Sequence, residues 1–202
     1  MHKGAIFPIF YLPPLEFFSQ MKQPRELVLM ERYEHFQKQT YRNRAVIHSP
    51  QGKLALIVPV QKGSKMQTRM KDVKISYDFD WQRLHWRSLQ TAYRSSAYFE
   101  FYEDDFSVFY HRRWNFLADY NEELLGVILK LLKLNISFSY TETYREVYED
   151  FEDFRNSIHP KKEGSAGFAH YFQVFEDRNG FQPNLSIVDL LFNQGPQSLA
   201  YL

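Results

Sequence analysis

The stretch HFQKQTYRNRAVI, His35 to Ile47, sets three basic side chains, three amides and a tyrosine between an aromatic residue and an apolar run. In an extended segment, side chains alternate between two faces. Lys38, Thr40, Arg42, Arg44, Val46 and His48 then share one face, and Gln37, Gln39, Tyr41, Asn43, Ala45 and Ile47 the other. Arg42 and Arg44 would project together about 6.6 Å apart, two residues at roughly 3.3 Å each. That spacing suits a carboxylate, phosphate or pyrophosphate, which the guanidinium fork grips bidentately. The competing reading is a solvated strand face paired with acids elsewhere.

A second group lies in DWQRLHWRSLQTAYR, where Asp80 is a candidate N-cap and the run has helical period. Positions 81, 84, 85, 88, 89 and 92 form one stripe, so His85 and Ser88 share a face with Trp81, Leu84, Leu89 and Ala92. His85 there is either a general base or a phosphate partner in a pocket, or a buried histidine satisfied by a carbonyl. No acid stands beside Ser88 in sequence, so a catalytic triad is not assigned. Near the C-terminus, Ser186, Asp189 and Asn193 lie on a short helix; Asp189 in its first turn reads as a capping or dipole residue or as a catalytic acid. Glu100, Glu103, Asp104 and Asp105 cluster, but His111, His159 and His170 are too scattered for metal ligation. No metal is expected, and the residues name no cofactor.

These groups need elements to hold them. Ala5 to Phe10 reads as a strand, and Pro13-Pro14 ends it and opens a helix through Met21. Glu26 to Met30 reads as a second strand. TYRNRAVIH, the turn SPQG and KLALIVPV form a hairpin, and Leu54 to Val60, apolar on both faces, reads as a central strand. A polar loop, Gly63 to Lys71, precedes three helices: one after Asp80, one from Tyr98 to His111, and one from Glu122 to Leu134. ISFSYTETY alternates as a strand, and Val147 to Ser157 reads as a helix. His159 to Gly167 reads as a mobile loop, and Gly195-Pro196 stops the last helix. Strands first and helices after predict an α/β or α+β domain: a mixed sheet, built mainly from the N-terminal half, with helices packed on it.

A chain of 202 residues, 44% hydrophobic and 18% aromatic, is enough for one sizeable core, so a single domain spanning 1–202 is expected. Twenty-five lysines and arginines against 24 acids leave no global field for nucleic acid or an anionic membrane. The absence of cysteine removes disulfides, thiolate nucleophiles and cysteine-bound zinc, and fits a cytoplasmic setting. AIFPIFYLPPL has the length of a signal-peptide core, but its three prolines and the bulky Phe17-Phe18 read as structure. No stretch approaches the roughly 20 apolar residues of a membrane span.

Four blocks in order, YLPPLEFF, YEHFQKQTYRNRAVI with LALIVPV, DWQRLHWRSLQTAYRSSAYFEFY and PNLSIVDLLFNQGPQSLAYL, resemble the WbqC-like family from about Ala5 to Leu202. The motif positions present are Tyr11, Pro13, Gln39, Tyr41, Arg42, Asn43, Arg44, Pro59, Val60, Trp81, His85, Ser88, Tyr93 and Asp189. Ser96-Ala97 before Tyr98 departs from the family's alanine-proline type of pair without touching a chemical group. The resemblance implies a cytoplasmic accessory enzyme of bacterial surface-polysaccharide biosynthesis. It would act on an activated sugar by acyl or aminoacyl transfer, with a nucleotide sugar or acyl carrier as ligand. On this reading Lys38, Tyr41, Arg42, Asn43, Arg44 and Tyr11 bind the anion, and His85, Ser88 and Asp189 are the catalytic candidates. The alternative is a non-catalytic nucleotide- or carbohydrate-binding partner of such an enzyme. The oligomeric state is left open.

Overall fold

A computed structural model of the protein describes residues 3–61, 68–162 and 167–202. Parts of the predicted polar loop at 63–71 and of the predicted mobile loop at 159–167 lie outside the described residues.

The N-terminal apolar run is structural. Strand β1 (Gly4–Pro8) is buried at every position, as a strand with neighbours on both edges must be. Pro13-Pro14 then leads into helix α1 (Leu15–Met21), whose Phe17 and Phe18 are wholly buried. Strand β2 (Leu27–Glu31) follows and pairs parallel with β1.

The hairpin forms where expected, as β3 (Arg44–Ser49) and β4 (Gly52–Ile57), with Gly52 supplying φ +100° at the turn. It is, however, a separate two-stranded sheet, so β4 is not central. Leu54 and Ile57 are exposed on it, and the apolar run was no guide to burial.

Helix α2 (Trp81–Tyr93) is capped by Asp80, whose carboxylate accepts from the Arg83 N–H. Helices α3 (Phe99–His111) and α4 (Leu117–Leu131) pack beside it, α4 starting a turn earlier than its charge pattern suggested. Strand β5 (Ser139–Tyr140) pairs with β2, and β6 (Phe151–Asp153) pairs with β1; the second replaces the helix expected over 147–157. The short α5 (Glu176–Asn179) precedes α6 (Ile187–Gln194), which stops at Gly195. Gly195 has φ +53°, and a side chain there would collide with the Tyr98 ring. Phe192 of α6 fills the space between α2 and α3, its ring 5.1 Å from Phe99 and 5.2 Å from both Tyr93 and Phe106.

The class is therefore α/β, with six α-helices among the described residues. The main sheet has the order β5-β2-β1-β6 and is parallel throughout. Two later strands from 139–153 complete it, so only half of it comes from the N-terminal segment. The strand order places β2 and β5 on one side of β1 and β6 on the other. In open parallel sheets, ligands bind outside the strands' carboxyl ends.

Candidate functional site

Because the four strands run the same way, the loops that follow them share one edge of the sheet. These loops carry an unusual load of buried charge. Glu31 at the end of β2, Glu34 three residues on, Arg42 before β3 and Arg155 after β6 are each at most 3% exposed. Burial of a charge is costly unless it is paired and hydrogen-bonded, and here all four are. Arg42 grips Glu34 as a fork, Nε to Oε1 at 2.8 Å and Nη2 to Oε2 at 2.6 Å, and Nη2 also donates to the Arg155 carbonyl at 2.9 Å. Arg155 donates to Glu31 at 3.3 Å, to both oxygens of Asp153, and to the carbonyls of Arg145 and Glu146. Glu31 also accepts from the Thr141 hydroxyl at 2.8 Å and from the Tyr33 N–H at 2.7 Å. Burial lifts the Glu34 carboxyl above the ordinary range, against the pull of the Arg42 donors. Burial opposes the charge on Arg155, but the hydrogen bonds it donates to Asp153 and the negative charges of Asp153 and Glu31 hold its pKa above the usual arginine value. The network ties together the loops after β2, β5 and β6.

Over it lies a concave pocket of about 470 Å³, lined by Tyr33, His35, Arg69, Glu142, Thr143 and Tyr144. An antiparallel bridge between His35 and Arg69 holds the two basic groups on one wall. The Arg69 guanidinium sits 5.7 Å from the Tyr33 ring, and Arg155 below sits 5.4 Å from the Tyr144 ring. At the same edge, Gln37 donates to Asn156 at 3.1 Å, which sets exposed Lys38 beside the loop after β6. The His159 pKa is lowered from its ordinary value by burial first, then by the positive charges of Lys162, Lys161 and Arg42. A basic rim over a fixed floor can hold an anion through charge-assisted bonds. Glu142, Thr143 and the two tyrosines add the acceptors, donors and ring faces that sugar hydroxyls use. His35 and Glu142 are the groups placed to move a proton there.

The anticipated anion strip is not one strand face. Gln39 has φ +61°, the chain turns, and β3 begins only at Arg44. Arg42 points inward to Glu34, while Arg44 is half-buried with its Nε unpartnered. Asn43 donates to the Val58 carbonyl at 2.9 Å. Tyr41 is buried, its carbonyl accepting from Tyr11 N–H at 2.9 Å and its hydroxyl pushed up to about 12 by burial and then by the Glu16 charge. Of the six anion-binding candidates, Lys38 alone is exposed.

His85 sits in the interior, at 6% exposure. Its Nδ1 lies 3.0 Å from the Tyr11 hydroxyl, which lies 3.0 Å from that of Tyr110, and the Trp81 ring meets it edge-on at 5.0 Å. Burial lowers its pKa to about 4, a hydrogen bond to the Ile57 carbonyl opposing the shift. The stripe predicted for α2 is rotated: Gln82 and Trp86 are buried, while Leu84 is exposed and Ser88 half-exposed. Ser88 donates back to the Leu84 carbonyl at 2.9 Å, as hydroxyls on helices do.

Asp189 is neither a cap nor a neighbour of Ser88. Fully buried, it accepts from Tyr93 at 2.8 Å, Tyr171 at 2.7 Å and Gln173 at 2.8 Å, tying α6 to α2 and to the chain before α5. Burial raises its pKa to about 6 despite those three donors. Ser186 makes no capping bond; its hydroxyl donates to the Leu12 carbonyl.

The residues that the sequence left unmarked are Glu31, Glu34, Arg155, His35, Arg69 and Glu142. One signal was available: LVLMERYEH puts acids and a histidine directly after a strand, and the end of a parallel strand is where function gathers.

The model of the WbqC-like protein family matches residues 10–157, the span that carries the loops after all four parallel strands, Arg42 and His85, while Asp189 lies beyond it. An uncharacterized protein of Mycobacterium tuberculosis, Rv1507c, is 25% identical over 231 residues, an alignment covering 100% of this chain and 98% of the relative. No solved structure matches.

Proposed function

The chain belongs to the WbqC-like protein family, and we propose that it serves bacterial surface-polysaccharide biosynthesis in the cytoplasm by holding an anionic activated sugar at the carboxyl end of its parallel sheet. The observation that carries this reading is the pocket bounded by His35, Arg69 and Glu142, set over the paired charges of Glu31, Glu34, Arg42 and Arg155. Arg69 and His35 hold the phosphate or pyrophosphate, Lys38 adds charge at the rim, and Tyr33, Tyr144 and Thr143 meet the sugar. Arg42 acts from beneath: it fixes the loop that carries His35 through Glu34. Tyr11 and His85 support the loop after β1 in the same way. The reaction is transfer of an acyl or aminoacyl group from an acyl carrier onto the held sugar. The sugar's hydroxyl or amine forms the new ester or amide bond as the bond between carrier and acyl group breaks, and His35 or Glu142 takes the proton of the attacking group and returns it to the departing carrier group.

One observation favours a second reading, a non-catalytic nucleotide- or carbohydrate-binding partner of a polysaccharide enzyme. His85, Ser88 and Asp189 occupy three separate surroundings, and His85 has its ring nitrogens committed within the core.

A thermal-shift screen against nucleotide sugars, acyl-coenzyme A species and nucleoside phosphates tests the proposal, since a ligand of the native state raises the melting temperature. A nucleotide sugar should give a shift that vanishes in folded Arg69→Ala. No shift with any of these ligands would overturn the proposal. A shift without transfer when donor and sugar are supplied together would select the binding-partner reading.

A further inference from the structure

Helices α2 and α3 lie side by side, joined by residues 94–98 and tied by Gln90 donating to Glu103 at 3.1 Å. Their inner faces are core, and their outer faces carry opposite charges and large apolar side chains together. On α2, Arg83, Arg87 and Arg94 form an exposed row. On α3, Glu100, Asp104 and Asp105 form an exposed row of the opposite sign. Neither row enters an ion pair among the described residues. Large apolar side chains stand among these charges: Phe101 at 77% exposure, Val108 at 56% and Leu84 at 55%. Along α2 runs a concavity of about 630 Å³ lined by Arg87, Gln90, Thr91, Arg94 and Ser95.

We propose that this face is the interface between two copies of the chain. A two-fold axis passing between the rows would lay the arginines of each copy on the acids of the other, and a two-fold contact must be self-complementary in this way. Phe101 of each copy enters the α2 concavity of its mate. There the guanidiniums of Arg87 and Arg94 cover the ring and pair with the carboxylates of Asp104 and Asp105. A buried aromatic anchor ringed by charge pairs is the usual anatomy of a strong contact. The face fits a second copy better than it fits a nucleic acid or an anionic membrane, because the acid row would repel either polyanion.

Sedimentation velocity over a range of protein concentrations tests this, with circular dichroism confirming that each variant is folded. All the substituted positions are exposed, so the fold does not depend on them. The protein should sediment as a dimer and Phe101→Asp as a monomer. Arg87→Glu/Arg94→Glu and Asp104→Lys/Asp105→Lys should each be monomeric alone, because like charges then face each other. Mixed in equal amounts, the two charge-reversed chains should form a heterodimer. A wild-type protein that stays monomeric, a dimer that survives the charge reversals, or a mixture that fails to pair would each overturn the proposal.

Discussion

Two buried groups make opposite demands on the protein as pH changes, and separating them tests how the interior is wired. His85 has its pKa lowered to about 4 from an ordinary 6.5 by burial. Between those values the unfolded chain binds a proton that the folded protein refuses, so stability falls as pH is lowered. A gap of about 2.5 pH units, at about 1.4 kcal/mol each, makes this worth about 3 kcal/mol. Asp189 has its pKa raised to about 6 from 3.8, again by burial. The folded protein there keeps a proton that the unfolded chain has released, so stability rises as pH is lowered through that window, by about 3 kcal/mol. In the intact protein the two contributions nearly cancel. They should emerge in single variants compared with wild type by urea unfolding at several pH values from 7 down to 4, other groups cancelling in the difference. On going from pH 7 to pH 4, His85→Phe should gain about 3 kcal/mol relative to wild type, and Asp189→Asn should lose about 3 kcal/mol. A His85→Phe difference that is flat with pH would refute the claim that His85 is a neutral core group. It would then restore His85 to the list of groups free to act as a base.

Further outcomes follow from the packing and the charge network. Arg42→Met leaves Glu34 buried without its partner and should cost about 3–5 kcal/mol, whereas the double variant Glu34→Leu/Arg42→Met should recover most of that loss in urea midpoints. Two glycine substitutions should differ in sign by thermal unfolding. Gly195→Ala is destabilising, because φ is +53° and the Tyr98 ring fills the space, while Gly126→Ala, in an open position within α4, should stabilise by about 0.5–1 kcal/mol.

Local chemistry made much of this fold legible. The prolines before α1, the Asp80 cap, the turn glycine of the hairpin and the Gly195 stop each depend on near neighbours, and each element formed close to its expected place. Long-range facts were hidden. A three-residue strand such as β6 earns its identity from pairing with β1, and its acids and aromatics read equally well as a helix. The apolar run of β4 gave no sign that the hairpin would stand apart from the main sheet. Within the site, Arg42 reads in the sequence as an anion-binding arginine and in the structure pairs with Glu34: an arginine aimed at a ligand and one buried against a carboxylate look alike in sequence. Asp189 was visible as an acid in a first helical turn, yet its partners Tyr93, Tyr171 and Gln173 come from distant segments. The carboxyl-end pocket exists only once the loops after β2 and β5 and the segment of Arg69 are brought together, so no single stretch announced it.

What enters that pocket decides the function. Isothermal titration of the protein with a panel of nucleotide sugars, alongside the matching free sugars, is the most direct measurement. Saturable binding of a nucleotide sugar, weakened about tenfold or more in Arg69→Ala through loss of a charge-assisted bond and undetectable for the uncharged sugar, is the predicted result. Binding that is unchanged in Arg69→Ala, or equally strong for the free sugar, would contradict the placement of an anionic ligand at the carboxyl end of the sheet.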